Sequence, residues 1–290
     1  MSAEEFERHR GLLFGVAYRM LGSVSEAEDV VQEAWLRWDR AEPSEVREPR
    51  SYLMRITTRV AVDHLRKAAT RREDYVGPWL PEPLVLGPDP AEDAVLADSV
   101  SVAMLVVLET LSPLERAVFV LREAFGFAFA DIAAALGRSE ASVRQLAHRA
   151  REHVQARRPR FETDRSVRAA ATERFLTAAM GGDLAELLAV LSPDVRFVGD
   201  SGGKTRAPRH VLHGSGKVAR LFAAVHTDFP AETRIDYRDV NGAPAAVLSA
   251  GGVPYAVIVV DVDPDTGLVA ALHVMGNPDK LTALAARATP

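Results

Sequence analysis

The sequence predicts a protein of several domains, in which two all-α helical domains precede an α+β domain with a curled antiparallel sheet. Three observations predict this fold class. Residues 111–154 have the pattern of a helix, a tight corner and a further helix. Apolar residues in the first 73 positions recur at helical spacing. After residue 164, helical segments come first and apolar, strand-like segments follow, which is the order of an α+β domain.

Composition limits the classes of protein to consider. The 290 residues suffice for two or three domains, and 48% of them are hydrophobic. The chain has no cysteine, which excludes disulfides, a thiol nucleophile and zinc bound by cysteine. A formal net charge of −5 argues against indiscriminate coating of nucleic acid, so a DNA contact has to be local. The acidic, amphipathic N-terminus is neither a signal peptide nor a membrane span, so we expect a cytoplasmic protein with no membrane contact.

The segment from residue 111 to 154 carries the start and stop signals of a helix-turn-helix. Ser112 can cap a first helix, with proline at its first position and Glu115 three residues after the cap. A second helix is predicted from about Phe129 to Leu136. Gly137 can end it in the left-handed conformation, and Ser139 can cap the next helix.

The outer face of that last helix is basic and carries amide groups. Seven arginines between Arg138 and Arg160 stand against two glutamates, a local excess of positive charge in an acidic chain. Such a face suits DNA phosphates, and arginine and glutamine can read base edges bidentately. The simpler interpretation is a helical hairpin with a solvated charged face. The side chains predicted to point outward are Arg144, Gln145, His148 and Arg149.

The N-terminal helices show a different surface. Residues 4 to about 40 are predicted to be helical with a break at Gly22, and Ser25 is the predicted cap of the helix that follows. The outer side of this helix is acidic but includes Trp35. A solvated acidic face is the simpler interpretation, whereas an exposed aromatic side chain among acids favours a protein partner with a basic surface.

A second basic segment follows. A helix is predicted from Ser51, and between Arg47 and Arg72 eight basic residues stand against two acids. Two basic helices about eighty residues apart suggest two separate DNA contacts.

The segment that joins the helical domains is rich in proline but also apolar. Trp79, Leu80 and the run Leu84–Leu86 are too hydrophobic for a spacer left in water. We therefore expect this linker to dock onto another part of the chain.

Three separated motifs follow one another along the chain in the same order as in a known protein family. They are AEDVVQEAWLRW, then PRSYLMRITTRVAVDHLRK, and then, after the acidic linker, LSPLERAVFVLREAFGFAFADIAAALGRSEASVRQLAHRAR. Over about residues 5–157 the chain resembles a bacterial sigma factor of the extracytoplasmic-function group. The resemblance implies region 2 at 1–74, a linker at 75–98 and region 4 at 99–160. It implies RNA polymerase core, through its β′ clamp and β flap, and promoter DNA as partners.

The same resemblance implies roles for individual residues. The helix that docks onto polymerase carries Asp29, Gln32, Glu33 and Trp35. The residues at the melted −10 element are Arg50, Ser51, Arg59 and Asp63. The −35 recognition helix carries Arg144, Gln145, His148 and Arg149. An extruded base needs a shaped polar pocket and single-stranded DNA a basic groove, which agrees with these residue types.

A further domain is predicted at 164–290. Its last part contains four strand-like segments, with turn signals at Asn241–Gly242 and Asp265–Gly267. This order resembles a SnoaL-like cone, and sigma factors with this appendage form a subgroup, the SigJ or ECF41 type. The subgroup's motifs are matched by Trp79–Pro83, by Asp200–Lys204 with departures at Ser201 and Lys204, and by Asn277–Lys280.

We therefore expect the C-terminal domain to regulate the sigma domains in cis by contact with them or with the linker. The residues expected to carry this regulation are Trp79, Leu80, Asp200, Lys204, Asn277, Asp279 and Lys280. A small-molecule ligand of the cone is an additional partner that the fold leaves open.

Two alternatives remain open at this point. One is a helix-turn-helix repressor with a ligand-binding domain, although a repressor does not need the motifs of region 2. The other is a SnoaL-like enzyme with a DNA tether, using Asp200, His213, Tyr255 or His273. A single histidine on an apolar strand is usually a core residue, and no second catalytic group stands at a defined spacing. We therefore predict no catalytic residue, no cofactor and no metal.

Overall fold

The computed structural model describes residues 2–42, 46, 48–85, 101–157 and 163–287. These residues form two compact units. The first unit contains residues 2–42, 46, 48–74 and 104–157, and the second unit contains residues 75–85, 101–103 and 163–287. The first half of the linker therefore belongs to the C-terminal unit.

The first unit begins with three helices, α1 (Ala3–Leu21), α2 (Val24–Asp39) and α3 (Pro49–Glu73). Gly22 ends α1 in the left-handed conformation, with φ 69°. Ser23 then accepts a hydrogen bond from the amide of Glu26 and caps α2. The prediction that Ser25 caps this helix is wrong, because the chain turns as soon as Gly22 has closed α1 and Ser23 is the first extended residue after it.

The helix-turn-helix follows after α4 (Val102–Leu108). It consists of α5 (Pro113–Phe119), a π-helical turn (Val120–Ala124), α6 (Phe129–Leu136) and α7 (Glu140–Arg157). The predicted capping box is confirmed, since Ser112 and Glu115 bond each other's backbone amides. Gly137 ends α6 with φ 63°, as predicted. Because Val143, Leu146 and Ala150 are buried, the opposite face of α7 is left in solvent.

The second unit places three helices before the main sheet strands. They are α8 (Arg165–Gly181), α9 (Leu184–Val190) and, after β1 (Leu191–Asp200) and β2 (Leu212–His213), α10 (Ser215–Val225). The strands β3 (Arg234–Val240), β4 (Ala243–Ala250), β5 (Val253–Val262) and β6 (Val269–Met275) follow, and α11 (Thr282–Arg287) comes last. The β3–β4 turn has Asn241 and Gly242 at positive φ, the conformation of a two-residue hairpin.

The sheet order is β2-β1-β6-β5-β4-β3. The prediction of an α+β, SnoaL-like domain is confirmed, but its sheet is mixed and open rather than wholly antiparallel. Strand β1 runs parallel to β6, while the other pairs are antiparallel. The cause is topological: after β1 the chain crosses to the far edge, and the meander of β3 to β6 returns beside β1 in the same direction.

The two faces of this sheet have different surroundings. One face packs on the helices, where Phe175, Phe197 and Phe222 meet edge to face at ring-centroid distances of 4.9 and 5.8 Å. The other face carries Asp200 at the end of β1 and His273 on β6, both buried. The Tyr75 hydroxyl and the Leu80 amide of the linker donate hydrogen bonds to Asp200.

Candidate nucleic-acid interface and linker site

The outer face of α2 holds the residues expected to dock onto a protein partner. Asp29 and Gln32 are exposed, while Glu33 and Trp35 are half-buried. The Trp35 ring stands edge-on to Phe6 at 5.0 Å, which fixes its orientation. Leu36, which sequence reasoning did not select, is 47% exposed beside them. This face therefore combines acidic, amide and apolar groups.

The residues predicted for the −10 element lie along α3. The Glu48 carboxylate accepts a hydrogen bond from the backbone amide of Ser51 at 2.5 Å. Hydrogen bonds from the side chain and the backbone of Ser51 lower the pKa of Glu48. Arg50 and Ser51 are exposed in the first turn that this cap stabilises, and Asp63 is exposed further along the helix. Arg59 Nε donates to the carbonyl of Ala135 at 2.8 Å. The four residues thus share one helix, and Arg59 is already engaged by the end of α6.

The residues predicted for the −35 element are brought together. Arg144, Gln145, His148 and Arg149 are all exposed and lie one turn apart on one face of α7. The Arg144 guanidinium lies 4.7 Å from the centre of the Phe129 ring and bonds Glu140. Arg149 Nε lies 3.5 Å from Glu115 Oε1. Such exposed pairs are worth roughly 0–1 kcal/mol, so DNA phosphates can replace these carboxylates at little cost.

The linker is held to the C-terminal domain at Leu80. The amide of Leu80 donates to Asp200 Oδ2 at 2.8 Å, and Lys280 Nζ donates to the same oxygen at 2.7 Å. Lys280 Nζ also donates to the carbonyl of Leu80. The ammonium lies 4.0 Å from the centre of the Trp79 ring, within the range of a cation–π contact. Asp200, Lys280 and Leu80 are buried, so this ion pair holds both backbone groups of one linker residue away from water.

Tyr75 is a member of this cluster that sequence reasoning missed. Its hydroxyl donates to Asp200 Oδ1 at 2.5 Å and accepts from Asn277 Nδ2 at 2.9 Å. Burial and the hydrogen bond to Asp200 both raise the pKa of Tyr75. The residue lies outside the recognised Trp79–Pro83 motif, and a single tyrosine carries no pattern that could have singled it out.

The departures in the Asp200–Lys204 loop fit this geometry. The glycines that need positive φ are Gly202 and Gly203, whereas Ser201 does not have one. A Cβ on Gly202 would lie 2.4 Å from Asn277 Nδ2, so glycine is required there for close approach. Lys204 keeps the positive charge and pairs with Asp279 at 2.5 Å on the surface. The loop therefore tolerates serine and lysine at these two positions.

A second anchor lies farther along the linker. The amide of Leu84 donates to Asn241 Oδ1 at 3.2 Å, and the amide of Asn241 donates to the carbonyl of Leu84 at 2.9 Å. Val85 then forms an isolated antiparallel bridge with Val240 of the edge strand β3. The described part of the linker is therefore fixed at both ends, at Tyr75–Leu80 and at Leu84–Val85.

The four residues considered for acid–base catalysis have separate surroundings. Asp200 is engaged with the linker, and His213 is exposed on β2. The Tyr255 hydroxyl pairs with Thr233 at 2.9 Å. His273 Nδ1 lies 3.7 Å from Asp261 Oδ2 within the sheet. Asp200, Tyr255 and His273 thus each contact a different neighbour, and His213 is exposed, so these contacts do not join the four side chains into one catalytic group.

Acid is expected to destabilise the second unit through His273. Burial lowers the pKa of His273, Arg196 lowers it further, and Asp261 opposes them only in part. The folded chain therefore holds a neutral imidazole, while the unfolded chain binds a proton below about pH 6.5. The contribution of this group to the free energy of unfolding is complete above that pH and is lost as the pH falls towards the folded pKa.

Denaturant unfolding at about pH 7.5 and about pH 5.5 measures this effect. The variant His273→Gln cannot titrate, so its stability should fall less between the two conditions than that of the unaltered chain. An equal fall in both proteins would contradict a role for His273.

Within the part of the chain that the structure describes, none of the helices is long and apolar enough to cross a membrane.

Comparison with known proteins gives consistent matches over nearly the whole chain. Residues 6–71 match the family model Sigma-70 region 2, and residues 101–154 match Sigma-70, region 4. The ECF RNA polymerase sigma factor SigJ of Mycobacterium tuberculosis is 39% identical over 97% of this chain and 94% of its own length. Sigma factor SigI of the same organism is 34% identical over 96% of this chain and 94% of its length. The crystal structure of Mycobacterium tuberculosis SigJ superposes on 97% of this chain and on 98% of the SigJ chain, with 36% sequence identity and a TM-score of 0.75.

Proposed function

Because this chain belongs to the extracytoplasmic-function sigma factors of RNA polymerase, we propose that α2, α3 and α7 carry its polymerase and promoter contacts and that its C-terminal domain acts through the linker. The chain is a sigma factor that directs promoter-specific transcription initiation, with RNA polymerase core and promoter DNA as its partners. Sigma factors select the promoter, and the polymerase supplies the chemistry.

The face of α2 binds the β′ clamp of the core enzyme. Asp29 and Glu33 supply negative charge, Gln32 supplies an amide, and Trp35 and Leu36 supply apolar area. An acidic rim around apolar anchors is the composition expected for docking onto a basic surface. Region 4 binds the β flap, so that the two domains hold the core at two points.

The two basic surfaces divide promoter recognition between them. In region 2, Arg50, Ser51, Arg59 and Asp63 contact the melted −10 strand, where guanidinium, hydroxyl and carboxylate groups suit phosphates and an extruded base. In region 4, the exposed face of α7 enters the major groove at the −35 element. Two weak contacts on one chain give specificity that neither has alone.

The C-terminal domain regulates the sigma domains by holding the linker between them. The observation that supports this role is the buried Asp200–Lys280 pair, which binds both backbone groups of Leu80. The linker sets how far apart regions 2 and 4 can lie, so fixing part of it changes the separations available to them. Trp79, Asn277, Lys204 and Asp279 support the same site.

Promoter-directed transcription tests both parts of this proposal. Core polymerase is supplied with the full chain or with a chain that ends at Arg160, and initiation from the same promoter is compared. We expect the full chain to support initiation and the truncated chain to differ from it, because truncation exposes the buried Leu80 and Leu84 and frees the linker. If truncation left initiation unchanged, regulation by the C-terminal domain would be refuted. If neither chain initiated at the promoter, the proposed polymerase and DNA surfaces would be refuted.

A further inference from the structure

A cavity of about 270 Å³ lies in the first unit between α3 and α6. Its floor is apolar and buried, and it is formed by Met54 of α3, Leu121 of the π-helical turn and Ile132 of α6. Well-packed protein interiors rarely leave spaces much larger than a water molecule. An apolar cavity of about 150 Å³ is already large enough to bind benzene. The space between α3 and α6 is therefore large enough for a ligand of about ten non-hydrogen atoms.

The walls of the cavity are aromatic and its opening is polar. Tyr52 and Phe127 are half-buried and line the cavity between the floor and the solvent. The exposed residues Glu48, Ser51 and Asp131 lie at the opening. A small molecule can therefore enter from solvent, and two aromatic rings on the walls favour a ligand that contains a flat ring.

The charges around the opening balance one another. The carboxylates of Glu48 and Asp131 are accompanied by two guanidinium groups next to the aromatic walls. That of Arg55 lies 5.2 Å from the centre of the Tyr52 ring, and that of Arg50 lies 5.0 Å from the centre of the Phe127 ring. A charged ligand would meet no excess of opposite charge at the opening, and a charge placed on the apolar floor would lose its hydration. The cavity therefore favours a neutral ligand.

One polar side chain lies among the buried residues of the cavity. Thr58 is 0% exposed and lines the cavity, and within the described part of the chain its hydroxyl has no hydrogen-bond partner. A threonine inside a helix can bond the carbonyl four residues earlier, as Thr172 and Thr177 of α8 do at 2.8 and 2.9 Å. Thr58 does not form this bond, so its hydroxyl can pair with a molecule that enters the cavity.

We propose that this cavity is a binding site for a small, neutral, aromatic molecule that carries one hydroxyl or carbonyl group, and that this group bonds the Thr58 hydroxyl. The ring of the ligand lies against Tyr52, Phe127 and the Met54 thioether, which suits the contact of sulfur with an aromatic edge. Because α3 and α6 both line the site, the bound molecule acts on the sigma domains themselves. The inference goes beyond the proposed function and does not depend on it.

Two matched compounds test the site in the full chain. Phenethyl alcohol and propylbenzene have the same size and differ only by a hydroxyl in place of a methyl group. Binding of each compound is followed by NMR of the methionine methyl groups. Met54 lines the cavity, whereas Met20 is buried in the same unit but does not line it and serves as the internal control. Both compounds should shift the Met54 signal and leave that of Met20 in place, and phenethyl alcohol should bind more tightly.

A matched pair of variants tests the role of the hydroxyl. Thr58→Val replaces the hydroxyl by a methyl group, so it should reduce the preference for phenethyl alcohol over propylbenzene by about tenfold. Thr57→Val is the control. Thr57 is also 0% exposed on α3, and its hydroxyl has no partner among the described residues, but it does not line the cavity. Thr57→Val should therefore keep the preference of the unaltered chain.

A charged relative of the ligand tests the preference for a neutral molecule. Phenethylamine has the size of phenethyl alcohol but carries an ammonium group. We expect it to bind about tenfold more weakly or worse, because its charge would lie beside Thr58, Met54 and Ile132, away from water. Equal affinities for the amine and the alcohol would mean that the polar end of the ligand faces the opening, which would overturn the pairing with Thr58.

The remaining outcomes separate the site from its chemistry. If neither phenethyl alcohol nor propylbenzene shifted the Met54 signal up to the limit of its solubility, or if Met20 shifted as much as Met54, the cavity would not be the binding site. If both compounds bound but Thr58→Val and Thr57→Val gave the same preference, the proposed ligand class would be wrong. No DNA and no polymerase enters these titrations, so their result stands whether or not the transcription experiment supports the proposed function.

Discussion

Replacing Asp200 with alanine is expected to release the linker from the C-terminal domain. The substitution removes the acceptor of the Leu80 amide and of Lys280 Nζ at once, and it also removes the acceptor of the Tyr75 hydroxyl. Lys280 would be left buried without its carboxylate. Breaking a buried ion pair from one side costs about 3–5 kcal/mol, which exceeds what the remaining cation–π contacts with Trp79 and Tyr75 can supply.

Hydrogen exchange measures this release directly. The amides of Leu80 and Leu84 are bonded to side chains of the C-terminal domain, so a peptide covering residues 75–85 should exchange much faster in Asp200→Ala. Asp228→Ala is the matched control, because it removes the same charge from an exposed pair with Arg206, away from the linker site, worth roughly 0–1 kcal/mol. Unchanged protection of residues 75–85 in Asp200→Ala would show that the buried pair does not hold the linker.

The energetic origin of the effect can be separated from general damage. Adding Lys280→Met to Asp200→Ala removes the orphaned ammonium, so the double variant should be less destabilised than the sum of the two single variants. In transcription, Asp200→Ala should shift initiation in the same direction as the chain that ends at Arg160, because both free the linker. A shift in opposite directions would mean that the C-terminal domain acts by a route other than Leu80.

The elements of the first unit could be predicted because their signals are local. Ser112, Glu115 and Gly137 act within one turn of their own helix ends, and the buried positions of α7 repeat at helical spacing. The wrong cap of α2 shows the limit of such signals. Ser23 and Ser25 are equally good caps by residue type, and only the place where Gly22 turns the chain decides between them.

The strand pairing in the sheet could not be predicted from local sequence patterns alone. Strand segments and the Asn241–Gly242 turn were predicted, since alternation and turn chemistry lie within a few residues. The parallel pairing of β1 with β6 joins residues about 75 positions apart, such as Val198 and His273, and no pattern within either strand specifies its neighbour. The fold class therefore followed from element order, whereas the mixed topology did not.

The linker site was predicted in part. Apolar character singled out Trp79 and Leu80, and the motifs supplied Asp200 and Lys280, but their chemistry together depends on burial. A carboxylate and an ammonium in a sequence are ordinary surface residues until the fold removes them from water, where they can hold a backbone segment. Tyr75 was missed for the same reason, because only the folded loop brings its hydroxyl between Asp200 and Asn277.

Removing two arginines from the exposed face of α7 is expected to abolish recognition of the −35 element. Arg144→Ala and Arg149→Ala each delete a guanidinium that can bind a phosphate or a guanine edge. Loss of a bidentate base contact costs about 1–3 kcal/mol, and loss of a phosphate contact lowers the salt dependence of binding by about one counterion. Neither side chain is needed for folding, since both are exposed and their partners Glu140 and Glu115 are surface or cap residues.

The salt dependence of duplex binding distinguishes the two kinds of contact. Affinity for a −35 duplex and for an unrelated duplex is measured over a range of salt concentrations for the double variant and for each single variant, and Arg157→Ala is the control that removes the same charge at the end of α7. A base-reading arginine should weaken binding to the −35 duplex far more than to the unrelated one, whereas a phosphate-binding arginine should weaken both and flatten the salt slope. Gln145→Ala should relax discrimination at a single base pair, because one bidentate amide contact with adenine is lost. If all three variants bound the −35 duplex like Arg157→Ala, the recognition surface of region 4 would have to lie elsewhere than on this face of α7.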